Sequence, residues 1–213
     1  MVFGGALGFA LWKLTPQPPL PVYNPSQVND ELVSAEIRSV GRNHRIGPYA
    51  LTDQYGRPFG PETLGRRIAV VDFFFTTCPS ICTDMAREMR RLQEHFADDP
   101  RIALLSHTVM PEVDSVPVLF AYAEQQNALR DRWYFLTATR SEIYSLARSS
   151  YLVAKEPVED SEDHSLIHTE SFVLVDPDRR IRGFYDGTSA ASVDQLIEDI
   201  DRLLHEYPDL KKP

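Results

Sequence analysis

Cysteine is nearly absent from this chain: there are two, Cys78 and Cys82, among 213 residues. That excludes a disulfide-scaffold protein and a four-cysteine zinc site. Basic residues are also in the minority. Twenty-two Lys and Arg face 31 Asp and Glu, for a net charge of −9. Such a balance argues against broad nucleic-acid binding, which draws on cations to neutralise phosphates. Long apolar runs are missing as well. The uncharged stretch at the front, residues 2–12 (VFGGALGFALW), would cover roughly 17 Å as a helix against a hydrocarbon core of about 30 Å. It lacks the basic flank and the small-residue cleavage site of a signal peptide. What remains is 43% hydrophobic and 25% charged, the composition of a folded domain of ordinary size with extra segments.

Three regions are expected. Residues 1–14 are an apolar leader, read either as a plain tail or as the C-terminal part of a membrane anchor that begins upstream of Met1. Residues 15–45 are a proline-rich linker and tether. The piece TPQPPLPVYNP (15–25) holds five prolines, which fix φ and remove backbone donors. As extended polyproline II, at about 3.1 Å per residue, it would hold a domain some 30 Å from a surface. Residues 46–213 are the folded domain.

Within that domain strands and helices alternate. YALTDQYGRPFG (49–60) reads as a short hairpin, with Asp53 and Gly56 in the turn. IAVVDFFF (68–75) and RIALLSHTV (101–109) are continuous apolar runs, as in strands buried on both faces. Between them Ile81, Met85, Met89, Leu92 and Phe96 recur at helical spacing. A helix over 114–128, a strand over WYFLTA (133–138) and a short helix over 141–149 follow. SFVLVDP (171–177) and IRGFYDG (181–187) form a hairpin. A last helix starts at Ser192, where Ser192 and Gln195 make a capping box. The order implies an α/β fold of thioredoxin type: a three-layer sandwich with a mostly parallel central sheet, a C-terminal β-hairpin and an N-terminal hairpin extension.

The two cysteines fall where strand 68–75 hands over to the first long helix. Pro79 suits the first helical position, which puts Cys78 near the N-cap and Cys82 one turn later on the same face. The helix dipole there favours thiolate over thiol. Three uses compete: buried structural thiols, a redox dithiol, and a metal site. Redox dithiols of this fold class have two residues between their cysteines, and here there are three. Thiolates select Cu(I) and Zn. A structural zinc wants four protein ligands, whereas copper tolerates two sulfurs plus one histidine.

Three segments carry a resemblance to one family. DFFFTTCPSICTDM (72–85), SHTVMPEVDSVPVLFAYAEQ (106–125) and HTESFVLVDPDRRIRGFYDGT (168–188) resemble, in order, the copper-site, S-x-T-V-D-P-E-x-D-T-P and distal-histidine segments of the SCO/SenC family. Its members are thioredoxin-fold proteins that help assemble the copper centre of cytochrome c oxidase. The likeness runs from about residue 46 to 205. It implies one copper ion, Cu(I) and/or Cu(II), held by Cys78, Cys82 and a histidine. The family's ligand stands nine positions before the proline of the hairpin turn, which here selects His168, nine before Pro177. His164 is thirteen before it and lies in a more polar stretch. His95 and His205 fall at helix C-termini, His44 in the tether, and His107 at a strand end where a structural role is expected.

Asp72 is a carboxylate inside an apolar strand, read as a proton acceptor beside the thiols or as an acid satisfied by a local donor. KEPVEDSEDH (155–164) holds five carboxylates, read as a solvated loop or as a mobile carrier of the histidine ligand that docks a basic partner. Where the family usually has Asp after T-V, this chain has Met110, expected to pack rather than to ligate. The resemblance implies a copper metallochaperone that is N-terminally anchored on the periplasmic side of the inner membrane. It would deliver copper to, or reduce cysteines in, the binuclear copper site of cytochrome c oxidase. Its partners would be that subunit, a copper donor chaperone and a thiol reductant. The alternative is an enzyme, a thiol–disulfide oxidoreductase or peroxidase-like redoxin, with Cys78 and Cys82 as its redox pair.

Overall fold

The computed structural model describes residues 18–78, 81–154 and 170–210. The leader, His164, His168 and the acidic stretch 155–164 lie outside the described residues. A two-stranded hairpin comes first, β1 (Leu51–Thr52) with β2 (Pro58–Phe59), then α1 (Pro61–Leu64). The main body follows as β3 (Ile68–Phe74), α2 (Ile81–His95), β4 (Ile102–Thr108), α3 (Val116–Gln125), β5 (Trp133–Leu136), α4 (Arg140–Ser145) with a π-turn (Leu146–Ser150), β6 (Ser171–Val175), β7 (Ile181–Asp186) and α5 (Ala190–Glu206).

The central sheet has the order β5-β4-β3-β6-β7. β3 pairs parallel with β4, and β4 with β5. β6 lies antiparallel beside β3, with Val71 opposite Val173, and β7 returns antiparallel beside β6. Every residue of β3, β4 and β5 is buried, as the unbroken apolar runs require of strands covered on both sides. Alternation divides them between two cores. Ile68, Val70 and Phe74 face a cluster built with Met85, Met89 and Leu92 of α2, Leu119 of α3, and Leu196, Ile200 and Leu203 of α5. Ala69, Val71 and Phe73 face the other side, with Leu51, Phe59, Ile143, Ala147 and Tyr151. These are the three layers.

Three local readings change. The last helix begins two residues early. Its N-cap is Ser189, whose side chain accepts from Ser192 N. The Ser192 hydroxyl instead accepts from Asp186 N at 2.9 Å and ties the helix to the end of β7. The helix expected over 114–128 is shorter, α3 running Val116–Gln125 with Ser115 as its N-cap. The expected tether is, from Leu20 onward, part of the folded body. Leu20, Val33 and Ile46 are buried, and Tyr23 N donates to Ile181 O at 2.9 Å. The buried Arg182 donates to Leu20 O at 2.7 Å and to Pro21 O at 3.0 Å. It also pairs with Asp176 at 3.0 Å and Glu206 at 2.6 Å. His44 belongs to the same seat, with its Nε2 2.8 Å from Ser150 O. A proline-rich strand has few donors of its own, so its carbonyls are free for such a guanidinium.

Candidate metal centre

β3 ends at Phe74, and Phe75–Cys78 turns towards α2, with Cys78 N donating to Phe75 O at 3.3 Å. Cys78 is half-buried and Cys82 buried; neither forms a disulfide. The two side chains are in hydrogen-bond contact. The corner expected from the i, i+4 spacing is therefore present, with one sulfur reachable from solvent and one beneath it.

The electrostatics are not those of a bare helix N-terminus. Burial pushes the Cys82 thiol up to about 12, and the contact with Cys78 and the nearby Asp72 push the same way. A backbone hydrogen bond at Phe75 opposes them. For Cys82 desolvation outweighs the dipole, so it is a protonated thiol at neutral pH in the metal-free protein. A soft cation bound to both sulfurs would replace that proton and neutralise the charge that burial disfavours. The donor set thus fits a thiophilic ion.

Asp72 lies beneath, on the sheet face that carries Val70 and Phe74, and is 3% exposed. Burial raises its carboxyl to about 7, against a hydrogen bond from Ser106 and one from the backbone. Its Oδ1 has no hydrogen-bond partner. The Ser106 hydroxyl accepts from Trp133 Nε1 at 2.9 Å, so a polar chain crosses the sheet from β5 to Asp72. Asp72 is at mid-strand, and its local donors satisfy it only in part.

Two further residues belong here that were not singled out in the sequence. The half-buried Tyr122 of α3 stacks on Phe74 with ring centroids 5.3 Å apart. Burial raises its phenol, and Asp72, Cys82, Cys78 and Asp114 add to that in turn. Asp114 is fully buried between the turn after β3 and the loop after β4. In the sequence it reads as an ordinary acid at a helix start, a place where carboxylates are common and exposed. Met110 is half-buried against the other core, on the sheet face away from Cys82. His107 is wholly buried, stacked on Phe73 at 5.1 Å. His205 Nδ1 is 2.7 Å from Asp201 O, a helix-end partner. Among the described residues no group of three or more His, Cys, Asp or Glu is placed to hold a metal.

A thioredoxin-like sheet with a dithiol at the carboxyl end of its central strand defines a class of redox and metal-handling proteins. Within that class the chain belongs to the SCO1/SenC family, which it matches over residues 38–205. It is 32% identical to the SCO1 protein homolog of Bacillus subtilis (strain 168) over 161 residues, 74% of this chain and 82% of that protein. It is 31% identical to a putative copper-binding protein of Stutzerimonas stutzeri over 157 residues, 73% of this chain and 76% of that protein.

Solved structures agree. One is a SCO1/SenC family lipoprotein from Bacillus anthracis str. Ames, with TM-score 0.65, 28% identity and coverage of 76% of this chain and 95% of that one. A second is BsSco, described as carrying a disulfide switch and as a member of the Sco family of cytochrome c oxidase assembly proteins; it has TM-score 0.63, 31% identity and coverage of 76% and 94%. A third is Arabidopsis thaliana ScoI with copper bound, with TM-score 0.60, 26% identity and coverage of 76% and 98%.

Proposed function

We propose that this chain is a copper metallochaperone that carries one copper ion on Cys78, Cys82 and His168 and serves the assembly of the binuclear copper site of cytochrome c oxidase. The observation that carries the reading is the dithiol itself. One half-exposed and one buried sulfur are in contact at the end of the central strand. Copper is the cargo. Cys78 is the sulfur that an acceptor's thiolate reaches, and Cys82 holds the ion from below. Transfer runs by stepwise exchange, with acceptor thiolates replacing His168 first and the two cysteines after it. A solved relative with copper bound and another described as an oxidase assembly protein support this reading. The uncharged leader, together with a relative described as a lipoprotein, supports an extracytoplasmic, N-terminally anchored location. Among the described residues no helix is long and apolar enough to cross a membrane.

Thiol–disulfide exchange is the second reading. The sulfur–sulfur contact, with Asp72 beneath it, also suits this chemistry, but the three residues between the cysteines depart from the two of redox dithiols of this fold class. One titration separates the two. Reduced protein is titrated anaerobically with Cu(I), and the Cu(II) form is followed by its sulfur-to-metal absorption. Metallochaperone function predicts one equivalent bound. His168→Ala abolishes the intense absorption and His164→Ala retains it. Weak binding indifferent to His168, alongside rapid disulfide turnover, would favour the oxidoreductase. The reverse histidine result would move the ligand to His164.

A further inference from the structure

The turn that carries Cys78 belongs to no strand or helix, yet one carboxylate ties it down. Asp114 is fully buried, and its partners are all neutral. Thr76, two residues before Cys78, donates to it twice: its amide to Oδ2 at 3.1 Å and its hydroxyl to Oδ1 at 2.5 Å. Thr108, at the end of β4, donates its hydroxyl to Oδ2 at 2.5 Å and accepts from Met110 N at 3.1 Å. The loop around Asp114 is closed on itself by Asp114 N to Met110 O at 2.9 Å and joined to β3 by Val109 N to Phe74 O at 2.8 Å. Oδ2 takes a donor from each side, the Thr76 amide and the Thr108 hydroxyl, and Oδ1 takes the Thr76 hydroxyl. A buried carboxylate facing only neutral groups is an expensive way to close a loop. Its place beside the dithiol gives the expense a purpose.

We infer that Asp114 is a positioning residue for the dithiol: by pinning Thr76 it holds the Cys78 sulfur against Cys82 before any ion arrives. As a statement about copper this rests on the function proposed above, while the position of the sulfur is testable without metal. Cys82 is fixed by α2 and the core, so it is the position of the Cys78 turn that depends on this bridge. A ligand pair already ordered in its binding geometry spares the ion the cost of ordering it.

The test uses the full chain with Asp114→Asn, Thr76→Val and Thr108→Val. In a Cys82→Ser background, reduced and metal-free, Cys78 is labelled with monobromobimane. Loss of a hydrogen bond to a buried charge is expected to speed labelling about tenfold in Asp114→Asn and Thr76→Val. Thr108→Val leaves the Thr76 contacts in place and changes the rate least. With both cysteines present, the first two variants bind Cu(I) about tenfold more weakly and shift the sulfur-to-Cu(II) absorption. If their labelling rates and spectra match the wild type while their melting temperatures fall, Asp114 only holds the loop together and the inference is wrong. Should Asp114→Asn not fold, Thr76→Val, which keeps the carboxylate, decides the matter by the same rates. A wild type that binds no copper overturns the proposed function, and the metal-free labelling still judges this inference.

Discussion

His107 carries a titratable ring into a place with almost no polar company. It stacks on Phe73 and meets Tyr151 edge-on at 5.5 Å. Neither ring nitrogen makes a well-aligned hydrogen bond, although the backbone at Asp72 and Leu105 lies on its polar side. Burial lowers its pKa from the ordinary 6.5 to about 4. Between those values the unfolded chain holds the proton and the folded chain does not. Asp72, raised to about 7, works in the opposite sense over the same window, but the contribution of His107 itself to stability falls as pH drops from about 6.5 to about 4 and levels off below. The slope approaches about 1.4 kcal/mol per pH unit. His107→Phe keeps the ring stack and removes the titration. The stability of His107→Phe relative to the wild type, from urea midpoints, should rise as pH drops through that window, and a difference independent of pH would refute the assignment. The same competition governs Cys82, where burial outweighs the dipole. The sequence showed a cysteine at a helix start but not how deep it would lie, and depth decides which form of the thiol prevails.

Among the elements, β5 is the edge of the main sheet, and an open edge invites pairing with other chains. The small β1–β2 hairpin covers it. Thr52 and Thr137 exchange backbone hydrogen bonds at 2.8 and 2.9 Å. The buried Gln54 then stands in for a strand: its Nε2 donates to Trp133 O and its Oε1 accepts from Phe135 N, both at 3.0 Å. Gln54→Ala leaves a buried amide and carbonyl unpaired and should cost about 1–3 kcal/mol. Faster hydrogen exchange at Phe135 should accompany the loss, and unchanged exchange there would argue that the edge is covered without Gln54. The hairpin was legible from its turn residues Asp53 and Gly56, and β3, β4 and the β6–β7 pair from their apolar runs. Its function as an edge cover was not, because a glutamine in a turn has no pattern that distinguishes a solvated side chain from one that replaces a ladder. Asp114 was hidden for the same reason.

At the scale of the whole molecule, contacts between distant parts of the chain decide what sequence patterns leave open. Leu20 N donates to Glu206 Oε1 at 2.7 Å, across 186 positions of sequence. No local periodicity foretells such a contact, so the segment from Leu20 onward read as a spacer. Arg182 is the hub of that seat. Arg182→Met removes the cation that Asp176 and Glu206 share and leaves Leu20 O and Pro21 O without this donor, at a cost of about 3–5 kcal/mol. Limited proteolysis should then cut residues 20–45 before the sheet, and an unaltered cleavage pattern would show that the seat stands without Arg182.

That seat lies at the start of β3 and the dithiol beyond its end. Seven strand residues at about 3.3 Å each separate the two by roughly 20 Å. The domain therefore has a built-in handle. A resin or an electrode coupled ahead of Leu20 would grip the end opposite the dithiol and present the sulfurs outward, ready for an incoming metal or thiol.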